Sequence, residues 1–195
     1  MKLKKFKYKS VTSTNDEAIV LIKKNRKEIG CVYAKKQTKG KGTHGKRWVS
    51  NEGNLFSSIF FKLKKNYPSF SEFSIINPVI ISSVIKKLCM NEKISVKWPN
   101  DIFLNGKKVC GILQEIITKN NKKFLIIGIG VNIISNPALR KKYQATNIFL
   151  ETKRKITAKK VLDLIILSYE NFFINLNSYN FTSFKKKAET MASNL

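Results

Sequence analysis

The chain is poor in acids and nearly devoid of histidine. Its 195 residues hold 12 Asp and Glu against 38 Lys and Arg, one histidine, three cysteines, four prolines and nine glycines. A single His44 excludes a histidine-rich metal centre. Cys31, Cys89 and Cys110 stand far apart with no Cys-x-x-Cys pair. That argues against a disulfide framework or a thiolate zinc site and fits a reducing, cytoplasmic setting. No Pro/Gly-rich linker, repeat or low-complexity tract divides the chain, so a single domain over 1–195 is expected. Long apolar runs are missing too: the stretches around 75–85 and 124–134 fall short of the ~18 residues of a membrane span. The basic start is followed by Tyr8-Lys9-Ser10, where a signal peptide places its apolar run.

What is present is a 43% hydrophobic chain with a net charge of +26. The apolar fraction excludes global disorder. The charge invites a nucleic-acid reading, since Lys favours phosphate contact. Yet the lysines run through the whole chain beside abundant Asn and Ile, which A/T-rich coding also produces. Lys also exceeds Arg, the better residue for bidentate base reading. Compositional bias is therefore preferred, and no specific DNA binding is expected.

The pattern predicts an α+β fold: a mostly antiparallel, mixed sheet with helices packed on one face. A strand over 6–11 precedes a helix started by a Thr14/Glu17 capping box and stopped near Gly30. Strands follow over 31–34 and 54–62, separated by a basic, Gly-rich segment, 37–53. A core helix spans 71–89, with Pro78 kinking it or marking its start. Asn105-Gly106 is a type I′ turn between 102–104 and 109–117, and a second turn at 119–122 leads into a strand over 124–134. Helices over 157–176 and 184–191 close the chain.

Four segments can carry chemistry. Gln37-Thr-Lys-Gly-Lys-Gly-Thr-His-Gly-Lys-Arg-Trp48 places glycines among cations, which suits an anion; it lacks the Walker A ending and the strand–helix context of a dinucleotide fingerprint. The plain alternative is a basic surface loop. Val96-Lys-Trp-Pro-Asn-Asp101 breaks a strand at Pro99 and presents Asn100 and Asp101 at its end; an ordinary turn is the alternative. Gly111, within Lys107-Lys-Val-Cys-Gly-Ile-Leu-Gln-Glu115, and Gly128-Ile-Gly-Val-Asn132 point to something packed closely on strands. Together they describe loops from several strands converging on an anionic ligand.

With Ser13-Thr-Asn15 and Asn54-Leu, these segments resemble, in order and spacing, the biotin–protein ligases within the biotinyl/lipoyl ligase fold. The resemblance covers about residues 10–133. It implies that biotin's carboxylate attacks the α-phosphate of Mg-ATP, and that a lysine of an acidic biotin carboxyl carrier domain then takes the biotinyl group from the adenylate. By that match Lys108, Lys41 and Asp101 are catalytic, with Lys108 stabilising the charge built at the α-phosphate. Ser13, Thr14, Asn15, Gln37, Lys41, Gly42, Thr43, Lys108 and Gly111 bind biotin, with Gln37, Ser13, Thr14 and Asn15 at its ureido head and Lys41 and Lys108 flanking its carboxylate and the α-phosphate. Lys46, Arg47, Trp48, Asn100 and Asn132 bind ATP, and Asp101 holds Mg²⁺ or receives the incoming lysine's proton.

Departures from the family pattern are also expected to matter. Thr43 stands where the family commonly has arginine, so weaker retention of the adenylate is expected. No helix-turn-helix precedes the ligase segment and no C-terminal β-barrel follows it, so the chain reads as a catalytic domain alone. A homodimer formed through a sheet edge is one arrangement the resemblance allows. The competing readings are a lipoate ligase or octanoyl transferase on the same fold, the latter disfavoured because Cys110 lies inside a strand and reads as a small core residue, and a basic nucleic-acid-binding module.

Overall fold

The computed structural model describes residues 2–137 and 144–192. The ends of the expected 1–195 domain lie outside the described residues. Seven strands, β1 (Lys5–Val11), β2 (Ile29–Gln37), β3 (Leu55–Lys62), β4 (Ile94–Lys97), β5 (Asp101–Leu104), β6 (Lys107–Lys119) and β7 (Lys122–Val131), form one sheet in the order β1-β2-β3-β7-β6-β5-β4. Only β1 and β2 run parallel; every other neighbouring pair is antiparallel. Asn105 and Gly106 both take positive φ, as a type I′ turn requires, and Asn120 and Asn121 do the same at the next hairpin.

Strand alternation sorts the apolar side chains into two cores. Ile59 and Phe61 of β3 with Leu125, Ile127, Ile129 and Val131 of β7 face α2 (Phe70–Cys89) and α4 (Ala158–Ile174). Phe60, Phe124 and Ile126 face the other way, toward Ala18, Leu21 and Ile22 of α1 (Thr14–Lys23). The α+β mixed sheet is therefore as expected. Its helices α2, α4 and α5 (Phe181–Met191) share one face, while α1 packs alone on the other.

Local details differ from expectation. Ser13, not Thr14, caps α1, its hydroxyl accepting from Asn15 N; the Thr14 side chain is engaged elsewhere, so the Thr14/Glu17 capping box does not form. The helix ends at Lys23 rather than near Gly30, because Lys119 Nζ reaches across to the carbonyls of Ile22 and Lys23. Gly30 belongs to β2, where a Cβ would come within 2.6 Å of the Phe6 ring. Pro78 does not begin α2. A capping box at Ser69 and Glu72 does, and the helix continues through the buried proline. The last helix starts at Phe181, capped by Asn180.

A short strap at 144–147 clamps the start of β6. Lys108 N donates to Gln144 O, and Thr146 N donates to Lys108 O, each at 2.9 Å. Glu151, in α3 (Ile148–Thr152), ties strap and hairpin together, accepting from Thr146 Oγ1 (2.6 Å), Asn105 Nδ2 (3.0 Å) and Lys107 Nζ (3.3 Å). Burial alone raises the carboxyl, but these bonds outweigh it and hold its pKa below the ordinary value. A lowered folded-state pKa stabilises above the unfolded value of about 4.3 and ceases to do so as pH falls through the folded value. Glu151→Gln is therefore expected to lower stability by about 1–2 kcal/mol at pH 7. The gap to the wild type should narrow in urea titrations as pH falls below about 4.3 and close only once pH has passed the lower folded-state value, where both side chains are neutral. An undiminished gap at low pH contradicts this account.

Candidate active site

The site is built on the face of the sheet that also carries α1. Two rungs of the ladder supply its floor: Ser58–Gly128–Leu113, then Phe56–Gly130–Gly111–Asp101. Glycine at 128 leaves room for Asn15 and glycine at 111 and 130 for Trp48; a Cβ at Gly111 would come within 2.5 Å of the Trp48 ring. The close approach expected at these glycines is thus present, made by side chains far away in sequence.

A β-bulge aims the key cation. Ile102 pairs with Cys110 but Phe103 pairs with Lys108, so Val109 is an extra residue on β6. Val109 and Cys110 consequently both enter the core, and Lys108 comes to the same face as Gly111 and Leu113. Its ammonium donates to Asp101 Oδ1 at 2.7 Å and lies 5.5 Å from the Trp48 ring centroid. Both partners are mostly withdrawn from solvent, at 23% and 18% side-chain exposure, so water screens this pair less than a surface one.

The opposite end of the cavity is polar and fully wired. Thr14 donates from its backbone N and its hydroxyl to Gln37 Oε1 (2.8 and 3.1 Å), and Gln37 Nε2 donates to Ser50 Oγ (3.0 Å). Asn15 Nδ2 donates to Glu115, and Ser58 Oγ reaches both Asn15 Oδ1 and Thr14 Oγ1. Between the two ends runs the basic loop. Trp48 N donates to Gly40 O and Gly42 N to Lys46 O, so the Gly42 amide is used inside the loop rather than offered to an anion. Lys41 pairs with Asp16 at the rim.

One cavity is lined by Ser13, Thr14, Asn15, Gln37, Lys41, Gly42, Thr43, Trp48, Asn100, Asp101, Lys108 and Gly111, all singled out in the sequence. Trp48, expected with the nucleotide, stands among the residues expected around biotin. Lys46, Arg47 and Asn132 lie outside it. Lys46 and Arg47 are exposed, Arg47 donating to Thr38 O at 2.8 Å. Asn132 is buried, its Nδ2 given to Thr146 O at 3.0 Å and its Oδ1 without a partner. Ser58, Glu115, Gly128 and Gly130 belong to the site, although only the two glycines were flagged in the sequence, as packing signals.

Asp101, expected at Mg²⁺ or at the incoming lysine's proton, has its Oδ1 on Lys108 Nζ at 2.7 Å, and no cluster of three metal-ligating side chains occurs among the described residues. Cys110, read in the sequence as a small core residue and not as the nucleophile an octanoyl transferase needs, is fully buried as expected, and burial pushes its thiol pKa far up.

The sheet thus offers a floor of small residues with a polar cluster at one end and a paired lysine at the other. The profile of the Biotin/lipoate A/B protein ligase family matches residues 7–132. The chain belongs to that family. It is 30% identical over 187 residues to the bifunctional ligase/repressor BirA of Bacillus subtilis, covering 93% of this chain and 57% of that protein. It is 28% identical to the biotin–[acetyl-CoA-carboxylase] ligase of Paracoccus denitrificans, covering 87% of this chain and 72% of that one. The biotin protein ligase of Aquifex aeolicus, solved with biotin and ATP, superposes with a TM-score of 0.82 at 28% identity, over 98% of this chain and 79% of that one. This chain thus spans little more than half the length of the Bacillus relative.

Proposed function

We propose that this protein activates biotin with ATP and transfers it to a lysine of a biotin carboxyl carrier domain. The observation that carries this reading is the cavity joining a polar cluster at Thr14, Asn15 and Gln37 to a cationic end at Lys108, with Lys41 on its rim. An acid with a polar head and an apolar tail spans such a cavity, its carboxylate meeting the lysines. In the first step a carboxylate oxygen of biotin attacks the α-phosphorus, and pyrophosphate leaves with the electron pair of the broken P–O bond. Two anions must meet, so Lys108, oriented by Asp101, neutralises the charge that builds on the α-phosphoryl oxygens. In the second step the carrier lysine's amine attacks the acyl carbon and AMP departs. Asp101, the acidic residue lining the cavity, receives the amine's proton.

The cavity holds about 40 Å³ because Trp48 covers Gly111 and Gly130. Small-molecule sites measure roughly 300–1,000 Å³, so the 37–50 loop shifts when ligand enters. Incubation with biotin, α-labelled ATP and Mg²⁺, without carrier, is expected to yield biotinyl-AMP. Adenylation of lipoate in its place supports the sister activity on this fold, and no adenylate with either acid refutes the reading.

Thr43 lines the cavity with its hydroxyl 3.4 Å from Asn100 Nδ2 and adds no charge there. Thr43→Arg is expected to slow release of the adenylate about tenfold, since charge-assisted bonds to phosphate are roughly twice as strong as neutral ones. Chase of labelled adenylate with unlabelled biotin and ATP measures this, and an unchanged release rate contradicts it.

A further inference from the structure

A second cavity opens on the α4 face of the sheet, opposite the site described above, and holds about 490 Å³. That lies within the roughly 300–1,000 Å³ of small-molecule sites, whereas the active-site cavity falls far below it. The two share no lining residue. The second cavity enters the end of the larger core. Tyr33 of β2, Leu55 of β3, Ile156 just before α4 and Leu162 within it form its walls, and all four belong to that core or pack against it. Ile134 adds a further wall. Its side chain lies over Gly53, where a Cβ would come within 2.1 Å of Ile134 Cδ1, yet it stays 51% exposed.

Hydrogen-bonding groups are scarce on these walls. Asn54 Oδ1 accepts from the backbone of Ile133, Ile134 and Ser135, and Asn54 Nδ2 donates to Ser135 O. Thr157 caps α4, its Oγ1 accepting from Lys160 N. A peptide laid against such walls buries amides that find no partner, which is costly. An aliphatic chain buries none.

The mouth, by contrast, is cationic. Lys7 pairs with Tyr33 across the β1–β2 ladder and Lys35 follows two residues on, so both stand on the face of Tyr33. Both are exposed, and neither forms an ion pair among the described residues. Lys159 stands on the α4 side and shares Asp163 with Lys5. Glu52 is the acid of the lining, exposed on the loop before β3 and outnumbered by these lysines. Positive charge at the mouth of an apolar interior matches a ligand with one anionic end and an aliphatic body.

We infer that this cavity binds a free long-chain carboxylic acid, its alkyl chain against Tyr33, Leu55, Ile134, Ile156 and Leu162 and its carboxylate at Lys7 and Lys35. The inference does not depend on the biotin chemistry proposed above.

Equilibrium dialysis of radiolabelled dodecanoate, kept below its micellar range, tests this on the full chain. Wild type is expected to bind it saturably at one site, and saturating biotin with ATP is expected to leave it bound. Neutral dodecanol and short-chain acetate, each lacking one half of the recognition, should bind about tenfold more weakly or less. Lys7→Glu/Lys35→Glu is expected to weaken dodecanoate binding by about tenfold or more, and so is Ile134→Asp, which sets a carboxylate on the apolar wall. All three positions are exposed, so these variants keep the fold, which circular dichroism checks.

A chain of net charge +26 attracts any anion, so a control is needed. Lys185→Glu/Lys186→Glu makes the same change of charge at exposed positions on α5, away from the cavity, and should alter binding by less than about twofold. Equal weakening by the two lysine pairs, release by biotin, or full binding by Ile134→Asp overturns the inference. No uptake of the free acid overturns it as well, and retention on anionic phospholipid vesicles in that case assigns the patch to a membrane surface.

Discussion

Lys108→Ala is expected to slow adenylate formation by on the order of 10³-fold while leaving the fold in place. The size follows from the position of the charge. The ammonium is held by Asp101 at 2.7 Å, and the β-bulge at Val109 turns it onto the site face. Its backbone is clamped on both sides by the strap at 144–147. A donor preorganised in a water-poor site needs no reorganisation as charge develops, and removing one such donor costs about 10²–10³-fold in rate. Bringing two anions together adds to the demand. The loss should fall on the single-turnover rate measured with α-labelled ATP, with KM for ATP nearly unchanged.

Stability must be separated from this, because the variant leaves Asp101 withdrawn from water without its partner. Breaking such a pair destabilises more than removing both charges. The Lys108→Ala/Asp101→Asn double variant is thus expected to regain stability and not activity. A loss below tenfold in the single variant would assign the α-phosphate to another cation, Lys41 being the other lysine that lines the cavity.

The same bulge explains what could not be read from the sequence. Strict alternation along Lys108-Val-Cys-Gly111 places Lys108 and Gly111 on opposite faces, yet they share one. A bulge depends on pairing with β5, and no local pattern announces it. Turns were legible because their signals are local: Asn105-Gly106 and Asn120-Asn121 impose positive φ by themselves. The glycines at 111, 128 and 130 were legible as close approaches, but not what approaches, since Trp48 and Asn15 arrive from distant parts of the chain.

The residues overlooked were those whose role is to hold others. Ser58 lies in the apolar run Leu55-Phe-Ser-Ser-Ile-Phe-Phe61, and a serine in a buried strand must find partners. That was a usable signal. Glu115 offered less, because an acid in a strand is ordinary until Asn15 is seen against it. Asn132 followed the family pattern yet is occupied in holding the strap.

Gly111→Val is expected to raise KM for biotin by about 10²-fold or more. Valine suits a strand, and the ladder through Asp101, Gly111 and Gly130 uses only backbone groups, so the sheet should form normally. The obstruction is on the site face, where a first carbon at 111 already comes within 2.5 Å of Trp48 Cζ3. Valine adds two more carbons there, and the indole is driven from its seat. Trp48 takes the loop with it, because its backbone N donates to Gly40 and its carbonyl accepts from Ser50 Oγ, which in turn accepts from Gln37.

The polar end of the pocket is therefore disturbed by a change made at the cationic end. Gly111→Ala, with one added carbon, should show the same defect at about a tenth of the size. Removing the indole should relieve the clash: Gly111→Val in a Trp48→Ala background is expected to raise KM far less than it does in wild type, a coupling typical of residues in contact. Tryptophan emission reports the displacement, shifting to longer wavelength in Gly111→Val as the buried indole enters water. If Gly111→Val binds biotin as wild type does, Trp48 leaves its place on the floor whenever ligand enters, and the pocket wall must be sought elsewhere in the loop.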